Sequence, residues 1–374
     1  MNSIELYVFD KDFNRLGIID TYEEIYLESN YKKHSELHLT VDGTKENADL
    51  LLSDDFRIIT KSTDITRGYI VETPQYFDEA ATQIEVIAYS LSYMLNWRII
   101  RGQQYFKGNI EDVIKAFVNA NAINPNDTNR IIPNLVLGVN DGINITADEA
   151  YNNRQLDEAL WEICDKYEVS FEILMNHEAK KYVFSTYMGI DRTTEQSMNQ
   201  PVIFAKAFDN VTKQSYVDDK SNYKSTAYVA GEGEGVERTV VKVNDSLSGF
   251  NRRELFVDAR DLQSKYRQED GTEVTIPQTE YHALLQERGQ NRLADYQRIR
   301  TFESNIDLYS QFIFNEHYFL GDKVTTRNDD LGIVTHSRVV TAKETYTRDG
   351  YELALEFGTS IPTLLDKLKR EVKR

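Results

Sequence analysis

Six histidines, one cysteine and 61 acidic residues are the groups through which this chain could do covalent or metal chemistry. His34, His38, His177, His282, His317 and His336 show no His-Glu-x-x-His spacing and no pairing with cysteine, so the usual zinc patterns are missing. Glu316, His317 and Asp322 could gather around a cation, but an acidic chain yields such a trio without any need for a site. The stretch Gly231-Glu232-Gly233-Glu234-Gly235 lets backbone amides approach an anion, yet its two glutamates would repel phosphate and no Lys-Ser or Lys-Thr follows. It reads as a turn or bulge. Ser246 and Ser248, beside Gly249, lie in a polar connection without a Gly-x-Ser-x-Gly elbow or a nearby histidine. Paired carboxylates for glycoside hydrolysis need only be about 5–9.5 Å apart in space, which residue order alone cannot test. Cys164 shares an apolar helical stripe with Leu156, Leu160 and Ile163, so it reads as a small buried hydrophobe rather than a nucleophile. No catalytic, cofactor-binding or metal-binding residue is expected, and the chain reads as a structural protein rather than an enzyme.

Composition narrows the class. A length of 374 residues exceeds one ordinary core and implies about two to four domains. Hydrophobic residues at 40% and charged residues at 28% fit a folded globular chain, and no apolar run nears the ~20 residues of a membrane helix. The first ten residues alternate and lack the parts of a secretion signal, so export by that route is not expected. A lone cysteine excludes an internal disulfide framework and fits assembly in a reducing cytoplasm. A net charge of -18 opposes nucleic-acid binding, which relies on Lys and Arg against phosphates. The same charge would suit a surface that DNA passes without sticking.

Any such surface must be built mostly from strands. Twenty-three tyrosines, six prolines and many short alternating segments indicate an α+β, mainly β chain. Residues 3–9, 35–41, 56–61, 67–73 and 82–89 alternate with period two between Asp-, Asn- and Gly-containing turns. The period then changes. Asn109 is positioned to cap a helix whose face carries Ile110, Val113, Ile114, Phe117 and Val118, and a second helix carries Leu156, Ala159, Leu160, Ile163, Cys164 and Tyr167. A hairpin with Asn176 in its turn follows, so residues 98–204 read as an α/β unit. Strands resume at 202–208, 224–230 and 238–243, then a weakly amphipathic helix begins after Pro277, with Gly289 a local cost of up to ~1 kcal/mol. The last hundred residues return to strands and end in a short basic helix. Two passages share an order of parts. Asp322-Lys-Val-Thr-Thr-Arg, the strand from Gly332 and the strand from Tyr351 parallel Phe56-Arg-Ile-Ile-Thr-Lys, the strand from Gly68 and the strand from Gln83. This reads as an internal duplication of one β-domain.

The order of these parts resembles the tail-hub proteins of long-tailed phages and prophages. That family includes the N-terminal part of tail-associated lysins, prophage endopeptidase tail proteins and baseplate hubs. The residues that carry the resemblance are Ile4-Glu-Leu-Tyr-Val-Phe-Asp with its hairpin at 14–17, Arg67-Gly-Tyr-Ile-Val-Glu and the Ala88-Tyr-Ser-Leu-Ser-Tyr-Met-Leu corner. Further along they are Ala230-Gly-Glu-Gly-Glu-Gly with Glu237-Arg238, Phe256-Val-Asp-Ala-Arg-Asp-Leu and Leu320-Gly-Asp-Lys-Val-Thr. The resemblance implies two tube-type β-barrel or sandwich domains per chain, at 1–97 and at 205–245 with 299–359. An inserted α/β domain at 98–204, a helical insertion at 246–298 and a C-terminal helix at 360–374 complete the expectation. It implies a homotrimer forming a pseudo-sixfold ring at the tail tip of a virion, assembled in the host cytoplasm. Its partners would be the distal tail protein, the tail tube protein and the tape-measure protein, with DNA passing through the channel without specific binding. No cofactor is implied. Many relatives continue into peptidoglycan-degrading or receptor-binding domains, whereas this chain stops after a basic tail, so no peptidase activity is carried over. Two other readings stay open from the residues: a cell-wall hydrolase, and a carbohydrate-binding adhesion module suggested by the aromatic richness.

Overall fold

Alternation decides the N-terminal strands. Leu37, Leu39 and Val41 are buried while Glu36, His38 and Thr40 are only partly so, which gives a strand with one core face. It is one of seven: β1 (Leu6–Phe9), β2 (Arg15–Ile19), β3 (Glu24–Asn30), β4 (Glu36–Asp42), β5 (Ile58–Lys61), β6 (Asp64–Asp78) and β7 (Thr82–Ser90). Helix α1 (Lys45–Leu51) lies between β4 and β5, started by the Thr44 hydroxyl accepting from the amide of Asn47. These elements come from a computed structural model that describes residues 4–78, 82–267 and 273–358.

The period change after residue 98 is real. β8 (Ile99–Asn109) runs into α2 (Ile110–Val118), and the Asn109 side chain accepts from the amide of Glu111 at the expected cap. Then come β9 (Leu135–Leu137), β10 (Thr146–Gln155), α3 (Leu156–Tyr167), β11 (Ser170–Asn176) and β12 (Lys181–Tyr187). β8 pairs with β10, while β11 and β12 form the expected hairpin, with β9 parallel to β12. The apolar faces of α2 and α3 meet in one cluster that also takes in Phe9, Ile58 and Ile70 from the first strands. Each large side chain buried there, such as Phe117 or Leu160, contributes about 1.5–3 kcal/mol. Cys164 belongs to this cluster, and burial pushes its thiol up, away from thiolate chemistry.

The chain continues through β13 (Ile203–Ala205) and β14 (Val211–Asp219), and contacts then divide it into two units. Met1–Ser215 with Phe302–Gly358 make the first, and the second contains Tyr216–Thr301. Within the second, β15 (Thr226–Ala230), β16 (Val240–Val243) and β17 (Glu254–Asp258) form one sheet, and β18 (Lys265–Arg267) pairs with β19 (Glu273–Thr275). Helix α4 (Gln278–Ala294) buries Tyr281, Leu285, Gly289 and Leu293, and its apolar residues join Val229, Val243 and Val257 in one cluster. Gly289 is no mere cost: a Cβ there would lie 2.5 Å from a Val229 methyl and 2.7 Å from a Val243 methyl. The glycine lets the helix lie close to the sheet.

β20 (Ile299–Ile306), β21 (Lys323–Asn328), β22 (Ile333–Thr347) and β23 (Gly350–Gly358) complete the strands. The terminal helix expected at 360–374 lies outside the described residues. The chain is mainly β, at 46% strand and 20% helix, and among the described residues no sheet closes on itself. The largest, of 13 strands, runs β14-β20-β23-β22-β3-β4-β7-β6-β5-β1-β2, with β21 also on β22 and β13 on β21. Two runs inside it repeat one order. In β3-β4-β7-β6-β5-β1 and in β14-β20-β23-β22-β21-β13, corresponding strands also come in the same sequence along the chain. β6 and β22 are each 15 residues long, and each carries a bulge, between Val71 and Thr73 and between Val339 and Thr341. Val71 donates its amide to Arg57 O at 3.0 Å, as Val339 does to Asp322 O at 2.8 Å. One link differs: β1 is antiparallel to β5, whereas β13 is parallel to β21.

Candidate functional site

The structure places the metal and anion candidates read from sequence in local hydrogen bonds. Asp322 accepts from the Ile190 amide at 2.9 Å, from Arg192 Nε at 2.8 Å and from the Phe319 amide at 3.0 Å, while His317 Nδ1 accepts from the Ile313 amide at 3.0 Å. Among the described residues, no three His, Cys, Asp or Glu side chains are grouped to hold a metal. Gly233 and Gly235 have φ of +96° and +53°, so the glycine-punctuated stretch is a turn that needs left-handed backbone, and Glu232 accepts from the Ser264 amide at 3.0 Å.

One constellation has no signal in the sequence. His34 Nδ1 lies 2.9 Å from Ser92 Oγ, and its Nε2 lies 2.9 Å from Asp157 Oδ2, across 58 and 123 positions of chain. In a catalytic triad Nε2 serves the serine and Nδ1 the carboxylate; here the ring is reversed. Ser92 is buried, and its hydroxyl also meets Ser90 Oγ at 2.9 Å, which in turn accepts from the Ser35 amide at 3.0 Å. Asn96 donates to the same Asp157 oxygen at 2.9 Å. Burial works to raise the Asp157 carboxyl, but these hydrogen bonds hold it below the ordinary carboxylate range. The chain of bonds ties the start of β4, the turn after β7 and the start of α3 into one joint.

A second joint lies where the two runs of strands meet. β3 pairs with the second half of β22, from Asn30 opposite Thr341 to Glu24 opposite Thr347. Just beyond, Tyr31 is fully buried and is held from every side. Its amide donates to Val340 O at 3.0 Å, its hydroxyl donates to Glu168 O at 3.0 Å, and its carbonyl accepts from Ser170 Oγ. The Arg338 guanidinium lies over its ring at 5.0 Å and bonds both Gly321 O and the Glu168 carboxylate. Gly321 has φ of +95°, and a Cβ there would strike the Tyr31 ring. Burial pushes the Tyr31 phenol up to about 12, so it stays a donor. Tyr31 thus joins both runs to the end of α3.

Nearby, a cavity of about 400 Å³ is lined in part by Lys61, Arg67, Tyr69, Glu172, Asp322 and Glu344. Its charges are matched inside the protein: Lys61 with Glu344 at 3.0 Å, Arg67 with Glu172 at 3.1 Å and Arg192 with Asp322 at 2.8 Å. A third joint serves the α/β part. The buried Glu111 carboxylate accepts from the amides of Asp141, Gly142 and Ile143 at 2.7–2.9 Å and from Thr186 Oγ1 at 2.7 Å. In all three joints, buried polar groups fix how strands and helices join.

The fold and its joints can be set beside known proteins. The sequence pattern of the family described as Siphovirus ReqiPepy6 Gp37-like protein matches residues 5–359. No curated protein matches the sequence. Among solved structures, the tail protein from Neisseria meningitidis MC58 is similar at a TM-score of 0.57 and 14% identity, over 95% of this chain and 96% of that one. The prophage tail protein gp18 from Listeria monocytogenes EGD-e is similar at 0.53 and 12%, over 99% and 98%. The 43 kDa tail protein of prophage MuSo2 from Shewanella oneidensis is similar at 0.59 and 10%, over 95% and 98%. At these identities the likeness is one of fold, and it spans nearly the whole of each chain. With the family pattern running almost from end to end, the chain belongs to the Siphovirus ReqiPepy6 Gp37-like family, in keeping with the tail-protein resemblance of its sequence.

Proposed function

We propose that this protein is the structural hub of a phage or prophage tail tip, in which three copies form a pseudo-sixfold ring that closes or extends the tail tube. The observation that carries the reading is the repetition of one strand order within a single chain, joined through β3 and β22. Three chains with two such modules each present six similar blocks to a sixfold tube while keeping a threefold tip. In this reading the repeated runs are the two tube-type domains, and the α/β part and residues 216–301 are insertions in the chain between their strands. The net charge of -18 supports a lumen that DNA crosses without adhering. Distal tail protein, tube protein and the end of the tape-measure protein are the neighbours such a hub would touch, in a virion assembled in the host cytoplasm.

A hydrolytic reading would rest on Ser92, His34 and Asp157, but the reversed imidazole and the buried serine favour a joint over a nucleophile. The test of the hub is mass in solution, followed by imaging of the tail tip. The expected result is three times 43.3 kDa and threefold density at the tip. A dimer, or a monomer that also leaves no threefold density in the assembled tail, overturns the proposal.

A further inference from the structure

The two runs of strands differ in what lies along one edge. β22 has β23 on one side, and on the other it carries two strands end to end: β21 opposite Ile333 to Arg338, then β3 opposite Thr341 to Thr347. Its counterpart β6 has β7 on one side and β5 opposite residues 64–70 on the other. Beyond β5, residues 72–78 of β6 have no partner on that side among the described residues. The neighbour missing there is the counterpart of β3. In the second run that counterpart is β14, a terminal strand of the 13-stranded sheet, which pairs only with β20 among the described residues. Each chain therefore presents one edge that lacks a strand and one strand that lacks an edge.

We propose that residues 211–215 of β14 in a second copy pair antiparallel with residues 72–78 of β6, repeating between chains the junction that β3 and β22 make within one. The proposal rests on the ring reading and names where the ring closes. Its direction follows from β3, which runs antiparallel to β22. Tyr31 donates to Val340 O, and the bonding side of a strand alternates, so Val340, Ala342, Glu344 and Tyr346 turn their backbones toward β3. Aligning the two bulges makes Glu72, Pro74, Tyr76 and Asp78 their counterparts on the open edge. Pro74 has no amide to give, so one rung there carries a carbonyl acceptor alone. A proline on an open edge also resists indiscriminate strand addition, as an edge reserved for one partner should. Tyr76 and Phe77 are 50% and 36% exposed on this half-strand, the kind of aromatic surface that interfaces cover. Glu72 on β6 and Lys213 on β14 are both exposed, and neither has a salt-bridge partner among the described residues, so the two edges carry opposite unmatched charges.

The test is disulfide trapping in the full chain. Positions 75 and 76 face opposite sides of the strand, so one of them shares a face with 213 and 215 in any antiparallel register. Gln75→Cys and Tyr76→Cys are each combined with Lys213→Cys and with Ser215→Cys, all at exposed positions, while Cys164 is buried and silent. At least one combination is expected to give interchain disulfides up to trimer, about tenfold above a control with Glu178→Cys in place of the β6 cysteine. A trimer by mass in which no combination links above the control overturns this edge pairing and leaves the ring standing. A dimer of the unmodified chain, or a monomer that also leaves no threefold density in the assembled tail, overturns the ring itself.

Discussion

Tyr31 and Glu111 hold two of the joints by different means, and each predicts its own response to substitution. Tyr31→Phe keeps the ring under Arg338 and removes only the bond to Glu168 O, so it is expected to cost about 1 kcal/mol in chemical denaturation. Gly321→Ala meets both a left-handed backbone and the Tyr31 ring, and is expected to cost about 2–3 kcal/mol. An alanine variant as stable as the parent would remove Tyr31 from its place as keystone. For Glu111, burial works to raise the carboxyl, but bonds from Asp141, Thr186, Ile143 and Gly142 outweigh it and hold the group below its ordinary value of 4.5. A depressed folded value means that these bonds contribute fully above pH 4.5 and are lost as the pH falls below it. Glu111→Gln should therefore cost about 2 kcal/mol at neutral pH, with the gap to the parent narrowing on acidification. A gap independent of pH would show that the charge contributes nothing.

The elements differ in how far local sequence specifies them. α2 and the β11–β12 hairpin were legible because each carries its own cap or turn: Asn109 accepts from Glu111, and Asn176 Oδ1 accepts from the Ala179 amide at 2.9 Å, while α3, which has no side-chain cap, was legible from its apolar stripe alone. β2 showed only as the hairpin at 14–17, since most of its residues are exposed and no core face stands out. The β8–β10 ribbon escaped for the same reason, being a polar pair of strands exposed over much of its length. The His34 joint unites residues too far apart in sequence for any motif to mark them. Gly289 shows how a correct local rule can mislead. Glycine to alanine within a helix ordinarily stabilises by about 1 kcal/mol, yet here the added methyl would press on the branched side chains of Val229 and Val243. Gly289→Ala is thus expected to lower the melting temperature, and a rise would mean that α4 can lift from its sheet without cost.

At the scale of the molecule, the repeated meander was visible in the letters, but its register was not. The sequence set Gly68 beside Gly332, whereas alignment on the two bulges places Gly68 opposite His336 and Gly332 opposite Asp64. The glycines do different work: a Cβ at Gly68 would meet Ile58 at 2.5 Å, while Gly332 turns the chain at φ of +63°. Such a register is fixed by partners that local patterns do not show. The pairing of β3 with β22 has a further consequence in time, because it joins residues near the two ends of the chain. At ribosomal speeds of about 5–20 residues per second, β3 is made some 15–60 seconds before its partner. Throughout that interval a nascent polypeptide carries a bare strand margin that any passing β-segment could occupy. A premature stop upstream of Val339 would leave that margin bare for good, so truncated products should be the species that aggregate during expression.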